Sequence, residues 1–201
     1  MDKVAKAKVV VVYVDIRGSS RWTRRMADDE MHRQAFMLNY DKECLFYKAR
    51  THCEFYKRMG DGRMFVHILN GRNHSEVACE ILNEALGLIR RVDRLIAKLP
   101  TPRPAGFRIR AMSGIVHQEI YPDGEQDWVG YFPNTAHKLL NVVPQAPLLV
   151  SEAFMETVKR RDAKKHGFVF TLLTGERSYP DGVDKEDVDS LWCVAKRHIP
   201  A

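Results

Sequence analysis

Six consecutive residues, Val9-Val10-Val11-Val12-Tyr13-Val14, are uncharged and mostly β-branched. Such a run lacks the alternation of a half-exposed strand and predicts one covered on both faces, over about Lys8 to Val14. The rest of the chain must therefore layer around it. Asp15 closes the run and places a carboxylate at the strand's C-terminal end. Gly18-Ser19-Ser20 follow where a helix begins, and backbone N–H groups at such a start attract phosphate.

A second carboxylate, Asp61, sits in Met59-Gly60-Asp61-Gly62 between two apolar segments, Cys53 to Met59 and Arg63 to Leu69. That pattern predicts a hairpin with Asp61 at its tip. Carboxylates at a strand end and a hairpin tip can converge on hard divalent cations, which take oxygen ligands and share them with substrate phosphates. Helical periodicity runs from Arg21 to about Arg50, with Trp22, Met26, Met31, Met37, Tyr40 and Phe46 as apolar contacts. It recurs from Ser75 to Leu99 and ends at Pro100, Pro102 and Pro104. Phe107 to Val116 reads as a strand, Gln118 to Val129 as a hairpin around Pro122-Asp123-Gly124, and Asn134 to Val142 as a helix. A helix from Glu152 to about Arg161 and short strands at Leu148–Ser151, Phe168–Leu173 and Ser190–Ala195 complete a mixed α+β fold.

The 201 residues suit a single domain spanning 1–201, able to bury roughly 70% of its surface. The net charge of +6 is spread among acids, so no nucleic-acid partner is expected, while a small polyanion such as a nucleotide would be attracted. Cys44, Cys53, Cys79 and Cys193 have neither zinc-ligand nor disulfide-framework spacing and read as reduced thiols. No apolar stretch approaches the ~20 residues of a membrane span, and the N-terminus lacks a signal-peptide design. A cytoplasmic protein is expected, with no membrane partner.

Singly, these residues have ordinary readings. Asp15 could be a loop acid, Asp61 a turn residue, Arg108 a solvated strand residue, Asn134 a helix cap and Lys138 a surface lysine. Their order says more. The succession Asp15-Ile16-Arg17-Gly18-Ser19-Ser20, Lys57-Arg58-Met59-Gly60-Asp61, Arg108 before Gly114, and Asp127-Trp128-Val129-Gly130-Tyr131-Phe132-Pro133-Asn134-Thr135-Ala136-His137-Lys138 resembles the class III nucleotidyl cyclase catalytic domain. The resemblance extends from about Val9 to Glu152.

It implies a ferredoxin-like, βαββαβ-type fold with extra C-terminal strands. It implies two Mg²⁺ or Mn²⁺ ions on Asp15, Asp61 and the Ile16 carbonyl. Gly18, Ser19 and Ser20 would hold the triphosphate, Arg108 would neutralise it, and Lys57 with Asp127 would select the base. Asn134 would orient the ribose, and Lys138 stands where the family places a transition-state arginine. Lysine keeps the charge but loses the planar fork, which predicts a slower or differently aligned enzyme. The C-terminal region has several basic residues, and the resemblance does not single out one of them as the family's last phosphate-binding lysine. The resemblance further implies a homodimer with shared active sites, one subunit giving the metal carboxylates and the other the base and ribose residues.

Two observations bear on the base. Lys57 with Asp127 resembles adenylate cyclases. The aromatics Phe55, Tyr56 and Trp128 would narrow a base pocket toward a pyrimidine, or equally serve core packing. The short chain is similar to the free-standing pyrimidine cyclases of bacterial anti-phage Pycsar signalling, which implies UTP ahead of CTP as substrate and a separate effector responding to the cyclic nucleotide. Adenylate cyclase is the alternative, and a catalytically silent nucleotide-binding module is another. The Gly60-Asp61-Gly62 turn departs from the Gly-Gly-Asp/Glu-Glu-Phe signature of diguanylate cyclases.

Overall fold

The computed structural model describes residues 6–26, 29–69, 71, 73–121, 124, 126–142, 146–174 and 178–197. Its central strand, β1 (Lys6–Arg17), is longer than the apolar run predicts and contains Asp15 inside it. Val9 to Val12 and Val14 are fully buried, so the strand is covered on both faces as expected. Val10, Val12 and Val14 face one core, and Val9, Val11 and Tyr13 the other.

The chain continues through α1 (Ser19–Arg25), α2 (Glu30–Arg50), the hairpin β2 (Phe55–Met59) and β3 (Gly62–Ile68), α3 (His74–Ala97) and β4 (Gly106–Ile120). In space the strands run β2-β3-β1-β4, all antiparallel, which is the βαββαβ arrangement the sequence implies. Beyond it, β5 (Gln126–Val129) pairs antiparallel with β4, and α4 (Tyr131–Leu139) leads to β6 (Leu148–Val150). After α5 (Glu152–Thr157) and α6 (Arg160–His166) come β7 (Phe168–Leu172), α7 (Lys185–Asp189) and β8 (Trp192–Lys196). These extend the sheet as β4-β6-β8-β7, with β6 parallel to β4. Pro122 and Asp123 of the expected hairpin turn lie outside the described residues.

Two expected helices are each divided. In place of one helix from Arg21 to Arg50, α1 ends at Met26 and α2 restarts at Asp29, whose carboxylate accepts from the His32 backbone N–H at 3.3 Å. That N-cap competes with continuation of the helix. The expected helix from Glu152 to Arg161 breaks at Val158, which turns extended and buries its side chain while the Lys159 N–H donates to Ser75 Oγ. In α2 the buried stripe is Phe36, Tyr40, Cys44 and Tyr47, so Met31 and Phe46 point outward at 74% and 50% exposure. α2 and α3 cover one sheet face. Ala136 and Leu139 of α4, with Val188 and Leu191, close the core on the other. Cys44, Cys53, Cys79 and Cys193 are unpaired. Among the described residues no helix is long and apolar enough to cross a membrane.

Candidate active site

Asp15 pairs across the sheet with Arg108 of β4, and the Arg108 Nε donates to Asp15 Oδ2 at 2.8 Å. A second donor, Arg108 Nη2, reaches the same oxygen. Burial raises the Asp15 pKa; Arg108 pulls it down and the nearby Asp61 carboxylate pushes it up again. The two carboxylates are thus close neighbours, as two ligands of one metal cluster would be. Asp61 Oδ2 is buried and accepts no hydrogen bond from the described residues. A buried anionic oxygen without a donor is costly unless a cation satisfies it, so the all-oxygen donor set here fits a hard divalent ion.

The tip that carries Asp61 is held by a residue the sequence reading passed over. Arg63 is 2% exposed, and its Nη1 donates to the carbonyls of Gly60 and Gly62, each at 2.6 Å. Its Nε and Nη2 donate to Asp41 Oδ1 of α2 at 3.0 and 2.5 Å. One guanidinium therefore grips the backbone on both sides of Asp61 and ties it to α2. Gly60 has φ +63°, a left-handed conformation that glycine adopts without strain.

In front of the carboxylates lies a cleft of about 620 Å³. Ile16, Gly18, Ser19 and Ser20 line it, together with Asp15, Asp61 and Arg108. Gly18 is left-handed, at φ +72°, and turns the chain from β1 into α1. The first N–H groups of α1 have no partner within the helix and are available to an anion. The cleft is also lined by Arg21, Arg24, Arg25 and Arg103, and by His137 and Asn141, none of which the sequence reading placed at the site. A basic i, i+3, i+4 pattern directly after Gly18-Ser19-Ser20 was the signal available for the α1 arginines.

Farther along the sheet, Lys57 of β2 and Asp127 of β5, 70 residues apart, form an ion pair of 2.5 Å between Nζ and Oδ2. Phe55 lies against the core that contains Tyr13. Tyr56 alternates to the opposite face and packs on Phe65 at 5.1 Å, among the helices. Strand alternation thus separates Tyr56 from Phe55 and Lys57. Trp128 is 5% exposed and belongs to the core beneath α4. Of the three aromatics expected to crowd a base, Phe55 and Trp128 lie against the same core, Trp128 almost fully buried in it, and Tyr56 packs on the opposite face.

Asn134 and Lys138 are carried by α4 but do not line the cleft. Asn134 is exposed, and Lys138 Nζ donates to the Gly182 carbonyl at 3.0 Å. At the far end of α4, the buried Arg110 donates to the carbonyls of Leu139, Val142 and Ala146 at 2.9, 3.1 and 3.1 Å. Burial lowers the Arg110 pKa to about 9, which still leaves it charged near neutrality.

This arrangement has counterparts among solved structures. The adenylyl cyclase CyaB from P. aeruginosa is similar at a TM-score of 0.74 and 15% identity, over 97% of each chain. The guanylyl cyclase Cya2 is similar at 0.73 and 15% identity, over 98% of this chain and 96% of its own. The catalytic core of a rhodopsin-guanylyl cyclase with converted specificity, in complex with ATPαS, gives 0.67 and 21% identity, over 98% of this chain and 100% of its own. The fold is that of a class III cyclase catalytic domain. No protein-family model and no curated protein matches the sequence. Within this cyclase fold, one chain brings Asp15, Asp61 and Arg108 to one cleft and Lys57 and Asp127 to each other, while Asn134 and Lys138 stand outside that cleft.

Proposed function

We propose that the chain is one catalytic domain that converts a nucleoside triphosphate to a 3′,5′-cyclic nucleotide and pyrophosphate. The observation that carries this reading is the meeting of Asp15 with Asp61, whose Oδ2 is buried without a donor, at the floor of an arginine-lined cleft. In the reaction a bond forms between the ribose 3′-oxygen and the α-phosphorus as the bond to the β-phosphate oxygen breaks. The 3′-hydroxyl proton passes to solvent.

Asp15, Asp61 and the Ile16 carbonyl would hold two divalent cations, Mg²⁺ or Mn²⁺, which when bound acidify the attacking hydroxyl and stabilise the leaving oxygens. The N–H groups of Gly18, Ser19 and Ser20 hold the phosphates. Arg108 exchanges its hold on Asp15 for the triphosphate. Asn134 and Lys138 come from a second copy of the chain, Asn134 orienting the ribose and Lys138 meeting charge at the α-phosphate. That neither residue lines the cleft of its own chain supports a homodimer with shared sites.

For the base, we propose a pyrimidine, UTP ahead of CTP. Lys57 and Asp127 offer a donor beside an acceptor, complementary to the O4 and N3–H of uracil, with Phe55 on the neighbouring surface. The same pair also complements the N1 and N6 amino group of adenine, which makes ATP the second reading. A role in anti-phage signalling through a separate effector, in the cytoplasm, follows from the resemblance to the Pycsar cyclases.

The test is turnover of purified protein with each of the four ribonucleoside triphosphates and Mg²⁺ or Mn²⁺, alongside Asp61→Ala. Cyclic UMP is expected from the unmodified protein and none from the variant. Robust cyclic AMP with negligible cyclic UMP would reassign the base, and no cyclic product from any nucleotide would overturn the cyclase reading.

A further inference from the structure

We propose that Arg21, Arg25 and Arg103 form a cradle for a pyrophosphate group beside the two carboxylates, so that the chain grips the leaving group with its own arginines. The inference rests on the cyclase reading for the identity of the ligand, and on the following geometry for the site.

All three arginines line the cleft that holds Asp15 and Asp61, and they come from two separate parts of the chain. Arg21 and Arg25 stand one turn apart on α1, and Arg103 lies in the connector between α3 and β4. Some arginines of the chain are paired at close range, Arg63 with Asp41, Arg91 with Glu43 and Arg108 with Asp15. Among the described residues, Arg21, Arg25 and Arg103 have no carboxylate partner. Among the described residues Arg103 donates from Nη1 to the Ala97 carbonyl at 3.2 Å, leaving most of its donors available.

Like charges at i, i+4 on a helix repel. An anion seated against Arg21 and Arg25 converts that repulsion into attraction, and each planar fork can meet phosphate oxygens by two parallel hydrogen bonds. Two C-terminal lysines are engaged elsewhere. Lys196 Nζ donates to Asn83 Oδ1 on α3 at 3.0 Å and lies over the Phe168 ring, while Lys185 lies over Tyr179. Among the described residues, none beyond Asn141 lines this cleft. The positive charge lining this cleft comes, among the described residues, from arginines of α1, the α3–β4 connector and β4.

The experiment measures pyrophosphate binding by calorimetry, at fixed ionic strength with Mg²⁺, to the full chain and to Arg21→Gln, Arg103→Gln and the double variant. Arg90→Gln, on the exposed side of α3, removes the same charge outside the cleft and serves as control. Each cradle variant is expected to weaken binding about tenfold, the scale of a lost charge-assisted contact, with Arg103→Lys retaining part of the affinity. Melting temperatures close to that of the unmodified chain would show that the exposed substitutions leave the fold intact. Unchanged affinity in the cradle variants, or a loss no greater than in Arg90→Gln, would overturn the cradle even if the protein makes cyclic nucleotide. Arginine-dependent pyrophosphate binding by a protein that cyclises nothing would uphold the cradle and remove the cyclase reading instead.

Discussion

Arg63 spends one guanidinium on two turn carbonyls and a carboxylate from another helix, and Asp61 stands between those carbonyls. Arginine suits this task because its donors lie in a rigid fork, whereas lysine offers a point charge. Arg63→Met leaves Asp41 with only the longer contact to Arg58, at 3.4 Å, and frees the tip around Asp61. Removing one member of a buried pair costs about 3–5 kcal/mol. Asp41 is partly exposed, so a loss near the lower figure is expected, read as a shift in the urea midpoint. Product formation should fall further than stability alone explains. Under the same conditions Asp41→Asn, whose amide oxygen still accepts, should lose less on both measures. Asp61 itself was legible in the sequence because glycines flank it. Its support was not, because Asp41 is 22 residues from Arg63 and nothing local joins them.

At the scale of elements, α4 is positioned by contacts at both ends. Arg110 ties its last turn and the following segment to β4, and Phe132 in its first turn lies over Gly114. A Cβ added at Gly114 would fall 2.0 Å from the Phe132 ring, so the ring and the start of α4 would have to move. Gly114→Ala is expected to destabilise the protein by about 1–3 kcal/mol, lowering the melting temperature by several degrees. Adding Phe132→Leu should recover part of that loss by restoring space. A Gly114→Ala protein with unchanged melting would show that the ring relocates freely. The strand pattern of β2 was legible as an element, yet the roles of its side chains were not. Alternation alone puts Tyr56 on the face opposite Lys57, and only the layers above each face decide which is core and which is site. The breaks between α1 and α2 and between α5 and α6 were likewise hidden within continuous helical periodicity, although Asp29 carries a recognisable capping side chain.

For the whole molecule, the proposed dimer has a direct consequence. An Asp61→Ala chain retains Asn134 and Lys138, and an Asn134→Ala chain retains both carboxylates. Mixing the two should restore part of the activity, because one of the two sites in each heterodimer then has only intact residues. The measurement is cyclic nucleotide formation after subunit exchange, with heterodimers counted by differently tagged chains. Heterodimers that form and stay inactive would sink the division of the site between copies. The sequence by itself determined the buried strand, the βαββαβ order, the hairpin with Asp61 at its tip and the identity of the candidate metal carboxylates. The strand and the hairpin depend on hydrophobic period and turn chemistry, which act over a few residues, whereas the βαββαβ order and the metal role of the carboxylates rest on the resemblance of the motifs to the cyclase domain. Tertiary structure alone decided that Arg108 holds Asp15, that Tyr56 and Trp128 serve packing, and that arginines of α1 and the α3–β4 connector line the cleft of the carboxylates. Each of those depends on which strands neighbour one another and which sheet face a helix covers, and long-range pairing leaves little trace in local sequence.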